Sequence, residues 1–504
     1  MKIKNKSIMI QGTASTVGKS ILCTALCRIF TQDGYDVTPF KSQNMSLNSH
    51  STPEGGEMGR AQVMQAEAAK KVPSVKMNPI LLKPTSDRKS QVIINGKPYA
   101  NMEATEYFKF KPELKGKIKE IFEEIKNESD IVVIEGAGSP AEINLNKEDI
   151  VNMGMAKIAN SPVVLVGDID KGGVFASLLG TMMLLKEDER KRVKGVIINK
   201  FRGSYEILKP GIKMLEELIN VPVIGVIPHF NLNLEDEDSV TDWRKFNENK
   251  EGDIEIAVIR LPYMSNFTDL NPLRVYKDIN MRFVDKAEEL GGPDLIIIPG
   301  SKSTIYDMKF LRSSGMEKAI KACRERGSYV FGICGGYQML GMEIIDEDSL
   351  ETEEKNIKAL GLINAVTIFK EHKTTTLCEG RDNLYGLKLR GYEIHMGETK
   401  LFGEEKPFVT LESRNNSKVE VFDGVINHNK TVIGTYIHGI FDNSEFTRSF
   451  LNHIRISKGL KPIEDTPKDF WEFKEEQYDE LAKIVRENLD MDKLYSILED
   501  AINV

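Results

Sequence analysis

The stretch SIMIQGTASTVGKSILCTALCRIFTQDG, residues 7–34, passes from a short apolar run through a small, hydroxyl-rich turn into an amphipathic pattern. SIMI (7–10) predicts a buried strand. Ile21, Leu22, Ala25, Leu26, Ile29 and Phe30 recur at helical spacing and predict a helix over 20–33 that stops at Gly34. Between them, QGTASTVGKS (11–20) lies where a phosphate cradle has to lie, after a strand and at the start of a helix. Gly12 and Gly18 let backbone N–H groups approach an anion, with Thr13, Thr16 and Val17 forming the loop between them. Lys19 adds a mobile positive charge, Ser20 offers a hydroxyl to Mg²⁺, and the helix N-terminus adds its partial positive charge. Five residues rather than the common four separate Gly12 from Gly18.

The same rhythm continues outward from this loop. DIVVIEG (130–136), PVVLVGD (162–168), GVIINK (195–200) and VIGVIP (223–228) are continuous β-branched runs, as expected of strands covered on both faces, and helical patterns separate them. This predicts an α/β, doubly wound, mostly parallel sheet whose ligands sit beyond the carboxyl ends of the strands. Glu135 closes one such strand ahead of Gly136 and Gly138, where a carboxylate can hold Mg²⁺ directly or through water. Asp168, Asp170 and Lys171 in GDIDKGG stand at another strand end and serve either a metal or substrate, or simply a turn. Asn199 is a candidate for the nucleotide base, since an amide both donates and accepts.

Residues 231–253 are charged, poor in aliphatics and aperiodic, which reads as a connector. The α/β rhythm resumes with IEIAVI (254–259), DLIIIPG (294–300), YVFGIC (329–334) and VIGTYIHG (432–439). The expected division is therefore a phosphate-loop domain over 1–230, the linker over 231–253, a second α/β domain over 254–450 and a charged helical extension over 451–504. In VFGICGGYQMLG, Cys334 stands between a strand and a helix starting near Gly335 and Gly336. A nucleophile in so sharp a turn is exposed at the sheet edge, next to N–H groups able to hold an oxyanion, and needs small neighbours. A cysteine nucleophile needs a base, and His438, at a strand end before a glycine, is the first choice among seven histidines; His395 is the second. Gly300 and Ser301 in PGSKST can supply further oxyanion N–H groups. The third member of the site is left open.

A chain of 504 residues with 40% hydrophobic and 29% charged residues is globular, and its formal charge of −8 argues against a protein built to neutralise nucleic acid. No apolar run is long enough to span a membrane and the first residues are too polar for a signal peptide, so a cytoplasmic location is expected. The five cysteines have no disulfide-like spacing; Cys23 and Cys27 share one helical face as apolar thiols.

GTASTVGKS with EGAGSPAEIN resembles the dethiobiotin synthetase-like amidoligases, whose loop carries the same extra residue, and GICGGYQMLG with TYIHGIFDN resembles class I glutamine amidotransferases, which are flavodoxin-like. PFKSQNMSLNS, MGRAQVMQAEAA, MNPILLKPTSD, DIVNMGMA, GDIDKGGVFAS, SNFTDLNPL and PGSKSTIYD narrow the resemblance to the cobyric acid synthase family over nearly the whole chain from Ile8 to about Asn443. That resemblance implies ATP- and glutamine-dependent amidation of the b, d, e and g carboxylates of adenosylcobyrinic acid a,c-diamide, a step of cobalamin biosynthesis. It implies Cys334 as glutaminase nucleophile with His438 as base, Gly335, Gly336 and Gln338 lining the glutamine pocket, residues 12–20 on ATP, and Ser20 with Glu135 on Mg²⁺. Gln43, Asn44, Ser46, Asn48 and Arg60 lie in the polar stretch expected to meet the carboxylates of the corrinoid. The His-x-Glu arrangement of the wider amidotransferase class is missing, with Ile440 in the place of the glutamate. A synthase of the a,c-diamide and a regulatory phosphate-loop ATPase with a degenerate second domain are the alternatives.

Overall fold

The computed structural model describes residues 3–85, 89–234, 252–465 and 468–500. The chain forms two compact units: Met1–Ser46 with Met58–Val240 and Lys474–Val504, and Leu47–Glu57 with Thr241–Phe473. Most of the connector expected at 231–253 falls outside the described residues.

In the first unit six parallel strands form one sheet: β1 (Lys6–Gly12), β2 (Val37–Phe40), β3 (Ile131–Glu135), β4 (Val163–Asp168), β5 (Val193–Phe201) and β6 (Val223–Pro228), in the order β6-β5-β4-β1-β3-β2. Ile8, Met9, Ile10, the apolar residues of β3 and Val163–Val166 are fully buried, as sequences apolar on both faces require. The order reverses at β1, so the loop after β1 opens at the switch point where ligands of such sheets bind. Register does the rest. Ile10 lies opposite Glu135, Gly12 opposite Val166 and Asp168 opposite Asn199, so every strand-end candidate of this half emerges along one edge.

Helix α1 (Lys19–Gln32) buries Leu22, Ala25, Leu26, Ile29 and Phe30 and ends in a Schellman turn, with the Tyr35 N–H donating to Phe30 O at 3.0 Å. Cys23 and Cys27 are buried on this helix and burial pushes both thiols up. The charged tail returns to the first unit. Tyr478 donates to Glu67 at 2.7 Å, Tyr495 packs on Phe30 with ring centroids 5.6 Å apart, and Arg28 pairs with Glu475 at 2.5 Å. A smaller, unforeseen four-stranded sheet runs through Gln43–Met45, Ile80–Pro84, Lys89–Ile94 and Lys97–Glu103.

The second unit is also built on a mostly parallel sheet: β7 (Ile254–Ile259), β8 (Ile279–Val284), β9 (Leu295–Ile298), β10 (Tyr329–Ile333), β11 (Val425–Ile426) and β12 (Val432–Thr435), in the order β8-β7-β9-β10-β12-β11 with β11 antiparallel. Beside it stands a largely antiparallel sheet centred on the long hairpin Ala365–Asp382 and Lys388–Leu401. Its strands are half exposed and rich in Lys, Thr and Glu, so they lack the continuous apolar signature of the parallel sheet.

The single strand expected over 432–439 is instead two. β12 ends at Thr435, Tyr436 turns, and Ile437–His438 pairs with Glu393 and Tyr392 of the antiparallel sheet. Asp423 forces the turn by accepting the Tyr436 N–H at 3.1 Å and the Thr435 hydroxyl.

Phe30 is fully buried where α1 meets both the sheet and the returning tail. Phe30→Ala is expected to destabilise the first unit by about 3–5 kcal/mol in urea denaturation, the usual loss for a buried aromatic.

Candidate active site

Two constellations form, one in each unit. In the second, β10 runs straight into Cys334, whose backbone adopts φ 53° and ψ −110°, a left-handed-side conformation that costs a non-glycine residue on the order of 1–3 kcal/mol. The strained turn is held because the chain after it passes close to β9. A Cβ on Gly336 would sit 1.9 Å from Ile298 O, so only glycine fits there. A Cβ on Gly335 would be 2.8 Å from the Ser301 backbone N, and one on Gly300 would be 3.5 Å from His438 Cε1. Gly300, Ser301, Gly335, Cys334 and His438 thus surround one small space.

Cys334 is nearly buried and its thiol donates to Ile394 O at 3.5 Å. His438 Nδ1 is 2.7 Å from Asp269 Oδ2, and the Gly439 N–H donates to Asp269 Oδ1 at 2.9 Å. The Tyr392 ring stacks on the imidazole with centroids 5.1 Å apart. Burial alone would strip the imidazole of its proton, but Asp269, by charge and hydrogen bond, and Cys334 outweigh it and hold His438 at about 10. Asp269 is therefore the third member. In the sequence it lies unmarked within SNFTDLNPL, and the vacancy left by Ile440 is the signal that the acid comes from elsewhere in the chain.

The remaining candidates of this half have structural duties. The Gln338 amide is tied to Met396 O (2.9 Å), Tyr436 OH (3.3 Å) and the Thr304 hydroxyl (3.1 Å), which joins the wall behind Cys334. His395, the second choice as base, lies flat on Tyr436 at 3.8 Å with Nδ1 3.1 Å from Gly397 O. The Ser301 hydroxyl donates to Asp307 at 2.6 Å.

In the first unit the phosphate loop and the EGAGSP turn converge. Lys19, almost wholly buried, donates to Ala14 O, Ser15 O and Gly138 O at 2.9–3.2 Å. Thr13 N–H is held by Val166 O at 2.9 Å. Asn199 donates to Val17 O at 2.8 Å, and a Cβ on Gly18 would lie 2.3 Å from its Nδ2. Asn199 Oδ1 is buried without a hydrogen-bond partner, an acceptor of the kind a nucleobase amino group satisfies.

Glu135 accepts four hydrogen bonds. Its Oε1 accepts from Ser20 (2.8 Å) and Lys41 (2.7 Å), its Oε2 from Gln65 (2.5 Å) and Gln62 (3.2 Å). Burial raises a carboxylate, yet Lys41, Gln65 and Ser20 together hold Glu135 below its ordinary value. Lys41, Gln62 and Gln65 were not singled out from the sequence, although all three lie in segments that carry the resemblance. An ionised carboxylate touching a hydroxyl at the end of a phosphate loop is a donor set that suits a hard divalent cation. Asp168 is paired with Lys200 at 2.9 Å and accepts the Asp170 N–H at 2.9 Å, while Asp170 pairs with Arg202 at 3.0 Å. Lys171 and Lys200 reach Thr16. These aspartates therefore shape the turn and brace the loop. Of the polar stretch, Gln43 accepts from Tyr107 at 2.6 Å and Asn44 donates to Gln62 at 2.9 Å, while Ser46 and Arg60 are buried. Asn48 falls in the second unit.

The CobQ/CobB/MinD/ParA nucleotide binding domain matches residues 8–238, and the CobB/CobQ-like glutamine amidotransferase domain matches residues 255–446. Cobyric acid synthase of Clostridium novyi (strain NT) is 66% identical over 501 residues, 99% of each chain. That of Thermoanaerobacter sp. (strain X514) is 54% identical over 98% of each, and that of Streptococcus sanguinis (strain SK36) 52% identical over 98% of this chain and 99% of that one. No described helix is long and apolar enough to cross a membrane.

Asp269→Asn is expected to lower glutaminase kcat/KM and to shift its alkaline limb downward from about pH 10. A raised imidazole value means that the stabilising pair is complete below about pH 6.5, the ordinary value, and is lost as pH climbs through the folded one. A pH–rate profile of glutamate release checks both. An unmoved limb would remove Asp269 from the site.

Proposed function

The chain belongs to the cobyric acid synthase family, and from that premise we propose that it amidates the b, d, e and g carboxylates of adenosylcobyrinic acid a,c-diamide in the cytoplasm, using one ATP and one glutamine for each. The observation that carries this reading is the coexistence in one chain of a Cys334–His438–Asp269 constellation and a Lys19–Ser20–Glu135 cradle. Either alone does half a reaction. The proposed division of labour follows the expected domains: nitrogen is released by the part over 254–450 and used by the part over 1–230.

A carboxylate does not react with ammonia at neutral pH because its leaving group would be oxide. Attack of a substrate carboxylate oxygen on the γ-phosphorus of ATP expels ADP and leaves an acyl phosphate. Ammonia then adds to the acyl carbon and inorganic phosphate departs, giving the amide. Lys19 supplies charge to the transferred group, and the loop N–H groups position it. Ser20 and Glu135 would hold Mg²⁺, which when bound neutralises phosphate charge. Asn199 Oδ1 is the proposed acceptor for the adenine amino group. Gln43, Asn44, Ser46 and Arg60 remain candidates for the corrinoid side.

In the glutaminase half, the Cys334 sulfur, as thiolate, attacks the glutamine carboxamide carbon. Backbone N–H groups about Gly300, Ser301 and Gly335 face the developing oxyanion. His438, which carries its proton across the neutral range, gives it to the departing ammonia. It then takes one from the water that cleaves the thioester and releases glutamate. Asp269 holds the imidazole so that Nε2 is the atom presented for both transfers.

Cys334→Ala is expected to abolish glutamine-dependent amidation while leaving amidation supported by ammonium salts. Lys19→Ala is expected to remove both. Chromatography of corrinoid products from the two reactions checks this, and glutamine use by Cys334→Ala would overturn the assignment of the nucleophile.

A further inference from the structure

The segment PGSKSTIYD (299–307) passes along the oxyanion side of the glutaminase centre and ends on an acid that the reaction does not use. Gly300 and Ser301 pair antiparallel with Ser265 and Met264, Ser301 lying opposite Met264. The next N–H, that of Lys302, donates to Tyr263 O at 2.9 Å. Backbone donors alternate sides along a strand, so the Ser301 N–H turns away from this pairing. On that side stands Gly335, whose added Cβ would lie 2.8 Å from the Ser301 nitrogen. A Cβ on Gly300 would stand 3.5 Å from His438 Cε1, so the same short stretch also borders the imidazole. Its conformation sets the direction of the Ser301 N–H.

Asp307 fixes this stretch from behind. It is wholly buried, in the first turn of the helix Thr304–Ser313. Its Oδ2 accepts the Ser301 hydroxyl at 2.6 Å, and Ser301 Oγ in turn accepts the Ser303 N–H at 3.0 Å. Its Oδ1 accepts the N–H of Tyr263 at 3.2 Å, the residue whose carbonyl holds Lys302. One carboxyl thus ties the loop, the opposing strand and the helix together. Burial pushes it up to about 7 against the pull of Ser301 and Tyr263, and Glu351 adds to the rise. An acid in so dry a place costs stability that an apolar side chain would not. What it secures is the aim of a hydrogen-bond donor.

We infer that Asp307 is a positioning residue for glutamine hydrolysis, holding the Ser301 backbone N–H on the oxygen of the tetrahedral adduct at Cys334. This rests on the glutaminase reading above. The carboxamide oxygen gains its negative charge only as sulfur bonds to carbon. A donor misplaced by about 1 Å therefore leaves glutamine binding intact and slows the step by about 100-fold.

The test compares the full-chain wild type with Asp307→Ala and Asp307→Asn. Glutamate release gives kcat and KM. Glutamate γ-semialdehyde, to whose aldehyde carbon the Cys334 sulfur adds to form a thiohemiacetal, reports on the oxyanion site through its inhibition. Iodoacetamide, from which the sulfur displaces iodide without forming an oxyanion, reports on the thiol alone, read by mass spectrometry of the Cys334 peptide. Asp307→Ala is expected to lower kcat by about 100-fold at little changed KM and to weaken semialdehyde inhibition in parallel, while Cys334 is alkylated at the wild-type rate. Asp307→Asn, whose amide oxygen accepts from Tyr263 and whose amide N–H donates to Ser301 Oγ, is expected to restore most of kcat.

A raised KM at unchanged kcat in Asp307→Ala overturns the inference, as does undiminished semialdehyde inhibition. Alkylation slowed in step with kcat also overturns it, since Asp307 would then support the elbow itself, and so does an Asn variant as slow as the Ala one. Should Asp307→Ala not fold, Ser301→Ala cuts the same tie while keeping the backbone N–H. It is expected to show the same split between kcat and KM, and an unchanged kcat there overturns the inference. A wild type that releases no glutamate fails the glutaminase reading itself, a result separate from any fault in the role of Asp307.

Discussion

The contact between His438 Nδ1 and Asp269 Oδ2, 2.7 Å long and shut off from solvent, sets the terms for the second unit. The two residues are far apart in the chain and sit on different elements, one after the crossover at Tyr436 and the other in the short helix Phe267–Val275. Bringing them together requires β12 to end at Thr435, a second sheet to receive Ile437–His438, and Asn266 to turn the chain ahead of Asp269. Removing one partner from a buried charged pair typically costs about 3–5 kcal/mol because the other charge is left buried and uncompensated, so neither residue is dispensable alone. Cys334 completes it from the other side, at an elbow that Gly336 makes sterically possible.

Glu135 follows the same logic in the first unit. A buried carboxylate is tolerable only when its oxygens are fully bonded, and here Ser20, Lys41, Gln62 and Gln65 provide the partners. Three otherwise separate stretches, carrying Ser20, Lys41 and the Gln62–Gln65 pair, are drawn to one strand end by that requirement. The cost of burying the charge is offset by a preorganised site whose hydroxyl and carboxylate are already adjacent, which is what phosphoryl transfer draws on.

What could be read from the sequence was what is local in the chain. A strand, a glycine-rich loop and a helix N-terminus are contiguous, so Gly12–Ser20 could be identified with its placement, as could the elbow at Cys334. His438 was legible because it closes an apolar run. Asp269 was not, since nothing near it in sequence marks a carboxylate that must cross the fold to an imidazole; only the absent glutamate at Ile440 hinted at it. Lys41, Gln62 and Gln65 escaped for the same reason, each an ordinary polar residue until the fold stacks them on Glu135. Asp168 and Asp170, which sequence left between metal and turn, are bound to Lys200 and Arg202. The antiparallel sheet and the excursion of residues 47–57 lack a periodic apolar signature because one face is solvated or the segment is short. The tail read as a charged helical extension, but not as one returning to α1.

The central claim is that nitrogen freed at Cys334 ends in an amide formed at the nucleotide cradle. It is tested most directly by mass spectrometry of the corrinoid after incubation of adenosylcobyrinic acid a,c-diamide with the protein, ATP, Mg²⁺ and glutamine labelled with ¹⁵N in its side-chain amide. The expected product carries four new amides, each bearing the label. An unchanged acid, or amides free of label, would contradict the account.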